Sequence, residues 1–357
     1  MNQAHRRRLI TGATAVACLL VVSGGVFYFT GGYDSWRDDR SLSSACKGVL
    51  DAGALRSALD SDEVRAHQGA VHFPDSEAGL LTHCQVADRN GDGSIEIAVR
   101  WGSKAERMPE ALHHQSLDDI GIVAVPIGRK WPGSVVSDGR WLSGAVELTC
   151  RNKPNERLVV NVHELLSTAR HDTRTHLARV ATTTAANAAD EFGCDARLGG
   201  PVERVAPGTE WKPVPMSKAS GSCAALNTLA SHAGRQGAHA VLEGPKDPDA
   251  LVEDCYLAGD KSTPIFRFTA LYGTFAENTR EKPETLSPVP GDSGQESPRA
   301  WATAPCQGGP KALYTVTTVP HGEPKSRSEV PEFERQALKA FAERSAELHG
   351  CEKPQTP

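Results

Sequence analysis

A chain of 357 residues, 39% hydrophobic and 23% charged, is long enough for two domains of ordinary size, each with its own core. A net charge of -5, with basic residues clustered only at the N-terminus, leaves no positive face for a nucleic-acid partner. Aromatic residues make up 6%, so small and aliphatic side chains must fill the cores, and covalent cross-links gain in value.

The N-terminus predicts the compartment. Residues 1–8 end in Arg6, Arg7 and Arg8 and read as a cytoplasmic tail, and residues 9–30 form a mostly apolar run able to cross ~30 Å of hydrocarbon. Val22-Ser23-Gly24 offers a small-residue cleavage site, but the apolar run continues through Val26 to Phe29, which favours an uncleaved signal anchor over a cleaved signal peptide. The expected location is the cell membrane, single-pass, with the C-terminal region extracytoplasmic.

Polar residues 31–44 read as a juxtamembrane spacer. The first module spans 45–194. A helix carrying Val49, Leu50, Leu55 and Leu59 opens it, and CQVADRNGDGSIEIAVRWG, residues 84–102, follows as a hairpin whose second strand alternates Ile95, Ile97, Val99 and Trp101 with more polar residues. An apolar strand is predicted over 120–127, with turns at Pro132-Gly133 and Asp138-Gly139, a strand ending at Cys150, and another over 158–166. A helix over about 173–192 places Leu177, Ala181, Thr184, Ala188 and Phe192 on one face.

Residues 195–222 show no sustained period and are assigned as a linker. The second module, 223–351, repeats the order: a helix from Cys223, a hairpin CYLAGDKSTPIFRFTALYG over 255–273, a mobile Pro/Ser/Glu-rich loop over 281–299, a strand over 312–319, and a helix with Phe333, Ala337, Phe341, Ser345 and Leu348 in one stripe. Trp301 is expected to precede Cys306 as Trp141 precedes Cys150. Residues 352–357 are a tail. The predicted fold class is α+β: two tandem disulfide-stapled modules, each an antiparallel sheet with N- and C-terminal helices, after one transmembrane helix.

Eight cysteines lie outside the membrane segment: Cys46, Cys84, Cys150 and Cys194, then Cys223, Cys255, Cys306 and Cys351. An even number in an exported chain reads as a disulfide framework, and the absence of CxxC spacing argues against zinc. Three pairings are open to each module. First with second and third with fourth is preferred, because both tie a helix end to a neighbouring strand.

Asp88, Asn90 and Asp92 follow the opening of an EF-hand-type calcium loop, but the twelfth position is Val99 and the flanks are strands, so a turn rich in Asn, Asp and Gly is the favoured reading. His113, His114, His163, His171 and His176 could supply a base or ligands, yet none forms a motif, and scattered surface histidines are preferred. Trp131, Trp141 and Trp301 are candidates for a sugar or peptide platform, against the commoner alternative of tryptophans packed in a core. No GxSxG, GxGxxG or Walker loop is present, and no cofactor is expected.

The basic N-terminus with one apolar segment, the cysteine before a hairpin, and Trp-x-x-x-Pro-Cys over 301–306 resemble uncharacterised membrane-anchored or secreted cell-envelope proteins of actinobacteria, of the streptomycete type. That resemblance implies an extracytoplasmic, membrane-tethered location and carries no activity. The functional expectation is a noncatalytic envelope protein that binds an envelope protein or glycan. The alternative is an extracytoplasmic hydrolase or small-ligand sensor with a site between the two modules.

Overall fold

The computed structural model describes residues 32–68, 79–91, 93–102, 122–137, 141–165, 173–209, 212–259, 263–281, 290–319 and 323–357. The anchor predicted over 9–30 lies outside them. Among the described residues no helix is long and apolar enough to cross a membrane.

Module 1 opens with α1 (Gly32–Ser44) and α2 (Ala52–Leu59). Its sheet comprises β1 (Val64–Gln68), β2 (Leu80–Asp88), β3 (Ser94–Trp101), β4 (Val125–Gly128), β5 (Trp131–Ser137), β6 (Trp141–Thr149) and β7 (Arg157–Leu165), followed by α3 (Thr173–Glu191). Module 2 contains β8 (Val214–Pro215), α4 (Ala230–Arg235), β9 (Ala240–Glu243), β10 (Val252–Ala258), β11 (Pro264–Leu271), α5 (Gly273–Glu281), β12 (Ser293–Glu296), β13 (Arg299–Ala304), β14 (Ala312–Thr318) and α6 (Val330–Leu348). Both sheets have seven strands, ordered β1-β2-β3-β7-β6-β5-β4 and β12-β13-β14-β11-β10-β9-β8. All pairings are antiparallel.

The duplication reaches the register. Cys84 faces Ile97 and Val86 faces Ile95, while the matching Cys255 and Leu257 face Phe268 and Phe266. Read from β1 and from β9, the sheets share the order β1-β2-β3-β7-β6-β5 and β9-β10-β11-β14-β13-β12. Strand β4 is an additional edge on the first sheet, and β8 on the opposite edge of the second. Disulfides join Cys46–Cys84 and Cys150–Cys194, with Cα atoms 5.8 and 4.9 Å apart, and Cys223–Cys255 and Cys306–Cys351, at 5.1 and 4.1 Å. Each module thus pairs first with second and third with fourth. The closed segments, 32 to 45 residues long, each restrict the unfolded chain by about 4 kcal/mol on a chain-entropy account.

Side-chain alternation gives each sheet two buried faces. Helix α3 lays Leu177, Ala181, Ala185 and Ala188 on the face holding Cys84, Ile95, Ile97, Val146 and Val160. Helix α6 covers the equivalent face of the second sheet, packing Phe333 near Phe266 and Phe341 near Phe268, with centroids 4.9 and 5.6 Å apart. The remaining faces meet. Ile122, Ala124, Val136, Ala145 and Val159 of module 1 form one apolar layer with Leu251, Val252, Leu271, Phe275, Trp301 and Leu313 of module 2. The result is a four-layer helix–sheet–sheet–helix body.

Several local expectations change. Residues 32–44 form α1, with Asp38 buried and bonded to the Arg65 guanidinium at 2.6 and 2.8 Å, in place of a polar spacer. The first helix expected in module 1 begins only at Ala52, capped by Asp51, because Cys46 and Lys47 take left-handed backbone at the first cystine. Pro132-Gly133 lies inside β5, and the turn falls at Arg129-Lys130, both with positive φ. Linker residues are docked: Val202 and Val205 enter the first core, and Val214–Pro215 adds β8 to the second sheet. Within the predicted mobile loop, Ser293–Glu296 pairs with β13.

Polar anchors close the seam. The buried Glu147 carboxylate accepts from Thr274 N at 2.8 Å, at the start of α5, and lies 3.3 Å from Arg157, which is itself 3.7 Å from Glu277. Ser134 Oγ accepts from Leu251 N and Val252 N at 3.2 Å each. Gly102 and Gly273, the shared ends of the two hairpins, both lie here: a Cβ on Gly102 would sit 2.5 Å from Thr274 Oγ1, and one on Gly273 would strike the Glu147 carboxylate. Truncating Glu147 leaves the buried Arg157 with only the looser, part-exposed Glu277 carboxylate and frees the Thr274 N–H, so Glu147→Ala is expected to cost about 3 kcal/mol and to separate the unfolding of the two modules in urea. A single transition at the wild-type midpoint would contradict the clamp.

Candidate functional site at the module seam

The seam-facing side of the first sheet is a grid set by strand register. Across β3, β7 and β6, one row reads Glu96, His163, Ser143; the next Ala98, Asn161, Ala145; the third Arg100, Val159, Glu147. These positions alternate with the residues under α3, which is why polar side chains fall in one layer without breaking the core. Ser143 Oγ and His163 Nδ1 share a hydrogen bond of 2.9 Å. His83 Nε2 bonds Glu96 Oε1 at 2.5 Å from the adjoining strand β2. Burial holds the His163 imidazole below its ordinary range against the opposing pull of Glu96, so it is neutral at physiological pH.

Exposure falls across the grid. The Glu96 side chain is 56% exposed and that of His83 13%, whereas Ser143 retains 3% and Asn161 1%. Asn161, at the centre, is flanked by alanine on both neighbouring strands, and neither its amide nitrogen nor its amide oxygen has a hydrogen-bond partner. The patch is therefore polar and accessible along Glu96 and closes inward over a buried carboxamide.

Module 2 uses the same grid differently. Its rows are Arg267, Thr317, Arg299; Thr269, Thr315, Trp301; and Leu271, Leu313, Thr303. Trp301 stands where module 1 has Ala145, and Leu271 and Leu313 stand at Arg100 and Val159. The ion pair of β10 and β11, Asp254 with Arg267 at 3.0 Å, occupies the places of His83 and Glu96 with the charges reversed, and Thr269 also bonds Asp254 at 2.9 Å.

A second polar cluster lies under α6. Glu253 receives Arg344 Nη1 at 2.9 and 3.0 Å and the Ser345 hydroxyl, Ser345 meets the Tyr272 hydroxyl at 2.6 Å, and His349 stacks on Tyr272 with centroids 3.7 Å apart. Burial raises the Glu253 carboxyl, with Arg344 and Ser345 opposing, and burial with Arg344 lowers His349 to about 3. Module 1 has Thr82, Asn187, Ala188, Trp101 and Phe192 at the matching places. The cluster is packed between sheet and helix and linked to the C-terminal cystine, a position suited to fixing α6.

The candidates read from sequence scatter. Asp88 Oδ1 accepts from Gly93 N at 3.3 Å and Asp88 O from Gly91 N at 3.3 Å, so this aspartate organises the hairpin turn with Asn90 in it; Asp92 lies outside the described residues. Trp131 is buried and donates from Nε1 to Gly200 O at 2.8 Å, fastening the linker to module 1. Trp301 is buried in the seam, and neither of these two forms an exposed platform. Trp141 pairs with Leu165 in β6 and is not the counterpart of Trp301. His176 bonds Ser57 Oγ at 2.7 Å between α3 and α2, while His113, His114 and His171 lie outside the described residues. Among the described residues, His163 joins the grid and His176 does not. Ser143, Asn161 and Glu96 had no motif; their signal was polar residues at the outward positions of otherwise apolar strands.

No protein-family model, curated protein or solved structure matches the chain.

The His349 environment has a pH signature. Its folded-state pKa lies below the ordinary 6.5, so the unfolded chain takes up a proton first; the stability from keeping it neutral is full above pH 6.5 and is lost as pH falls towards 3. Glu253, raised in the folded state, acts with the opposite sign. Replacing His349 by phenylalanine, the residue of module 1, is expected to leave the variant with about 2 kcal/mol less acid loss between pH 6.5 and 4.5 than wild type. Parallel stability–pH curves for the two proteins would overturn the assignment.

Proposed function

We propose that this is a noncatalytic, membrane-anchored extracytoplasmic binding protein of the cell envelope that takes a small polar ligand at the seam between its modules. The observation that carries the reading is the unequal use of one duplicated surface. Module 2 fills its seam face with Trp301, Leu271 and Leu313, whereas module 1 keeps His163, Ser143, Asn161 and Glu96 on the same grid, graded from exposed to buried. Polar groups at a domain junction are a common setting for ligand recognition. Four cystines support the extracytoplasmic placement, since such a framework persists in oxidising compartments.

Ser143 and His163 resemble part of a hydrolytic constellation, but their geometry favours binding. Ser143 engages Nδ1 and is 3% exposed, which leaves an attacking oxygen no approach, and Glu96 turns to His83. Screening the full chain by thermal shift against small polar compounds and against chromogenic ester and peptide substrates tests this. Compounds that stabilise wild type but not His163→Ala, with no turnover, are expected. Ester or peptide turnover lost in Ser143→Ala would establish the hydrolase instead.

A further inference from the structure

We propose that Cys306–Cys351 is a thiol–disulfide exchange site, the cystine of the framework that small thiols open while the fold stands, and that its opening frees the C-terminal tail.

The four cystines are not equally enclosed. Cys46, Cys84, Cys150, Cys194, Cys223 and Cys255 keep 4% exposure or less, whereas Cys306 and Cys351 are both half-buried. Exchange begins when a thiolate attacks a disulfide sulfur, so access controls its rate. The enclosed three are reached only when a module opens; the fourth is reached from the native state.

The duplication supplies the reason. Cys150–Cys194 occupies the same place in module 1 and is covered by the turn that follows Cys150. Arg151 N donates to Asp195 O at 2.7 Å, Asp195 N to Asn152 Oδ1 at 2.8 Å, Asn152 Nδ2 to Gly193 O at 3.0 Å and Lys153 Nζ to Phe192 O at 2.6 Å. These bonds fold the turn over the helix end. The module 2 turn is Gln307-Gly308-Gly309-Pro310, in which only Gln307 carries a side-chain donor or acceptor, and residues 307–309 are exposed. A turn of that composition cannot reproduce the cover.

What this cystine holds is the tail. Beyond Cys351 the chain runs antiparallel to the end of β13, with Glu352 N bonded to Pro305 O at 2.8 Å and Gln355 N to Thr303 O at 2.9 Å. Of residues 352–357 only Pro354 is buried. Helix α6 is kept in place by Phe333 and Phe341 in the core and by the Arg344–Glu253 pair, none of which needs the sulfur link. Opening therefore releases the tail without dissolving the core. In the exchange the thiolate of a small dithiol attacks one sulfur, the S–S bond breaks, and the other cysteine leaves as a thiolate that takes a proton. The second thiol of the reagent then attacks the mixed disulfide, so the cystine becomes two thiols and the dithiol becomes a disulfide.

Dithiothreitol is the probe. The full chain, its free thiols first blocked with N-ethylmaleimide, is exposed to graded dithiothreitol, alkylated with iodoacetamide and mapped by peptide mass spectrometry. Label is expected in Cys306 and Cys351 about ten-fold or more faster than in any other pair. Once that pair alone is labelled, hydrogen exchange over residues 352–357 is expected to quicken while α3 exchanges as before, and Cys306→Ser combined with Cys351→Ser is expected to show the same pattern. Label entering another pair first, or all four pairs together, would overturn the site. Unchanged protection of the tail in the selectively reduced protein or in the double variant would overturn the release.

Discussion

The structure depends on two sheets each giving up a second face. A sheet covered by one helix layer would leave its other face in water; here the two modules bury those faces against each other through Val159, Ala145, Leu271, Leu313 and Trp301. Apolar contact is non-directional and does not set how the modules sit. Direction comes from Glu147, which crosses the seam to accept the Thr274 N–H at the start of α5, and from Ser134, which holds the backbone of β10. Burial raises the Glu147 carboxyl while Arg157 and Thr274 pull it back, so the charge belongs where these partners are. The glycines ending both hairpins permit this approach, since a Cβ at either would meet the opposite module.

Duplication explains why the halves diverge. A repeated sheet has equivalent inner faces, and both are stapled and covered alike, by α3 and by α6. The outer faces are not equivalent once they meet, because one can fill the space and free the other. Trp301 in place of Ala145 supplies bulk, and module 1 can then hold polar residues at the seam without opening a void. The polar cluster around Glu253 is a reverse divergence on an inner face: module 2 packs Arg344, Ser345 and His349 around a buried carboxylate where module 1 has Asn187, Ala188 and Phe192.

Much of the covalent and strand framework was legible in the sequence because it follows local periodicity. The match of Cys84 to Gly102 with Cys255 to Gly273 carries over to the same register across Thr82 to Val86 and Glu253 to Leu257, and the long helix stripes are buried from Leu177 to Ala188 and from Phe333 to Ser345, with Phe192 and Leu348 half-buried at their ends. The short elements were not legible. Strand β8 has two residues and β9 four, too few to show alternation, and α1 is mostly polar with Leu42 and Asp38 buried. Trp141 and Trp301 looked equivalent from their places before cysteine, yet pairing sets Trp301 against Thr315 and Trp141 against Leu165, different rows of the sheet.

The grid itself shows why a site of this kind escapes motif reading. Its members come from β3, β6 and β7, two of them joined in sequence only through β4 and β5, and no fixed spacing connects Glu96, Ser143 and Asn161. Their common property is parity: each sits at an outward position of a strand whose inward positions are apolar. A polar residue there would ordinarily meet water, and the sequence carries no mark that a second sheet lies above it. What distinguishes Asn161 from a surface asparagine is tertiary burial between Ala98 and Ala145. That burial leaves both ends of the Asn161 amide unpaired, where the sister module has the smaller Thr315 beside a tryptophan, so the two halves solve the same packing position with different polarity.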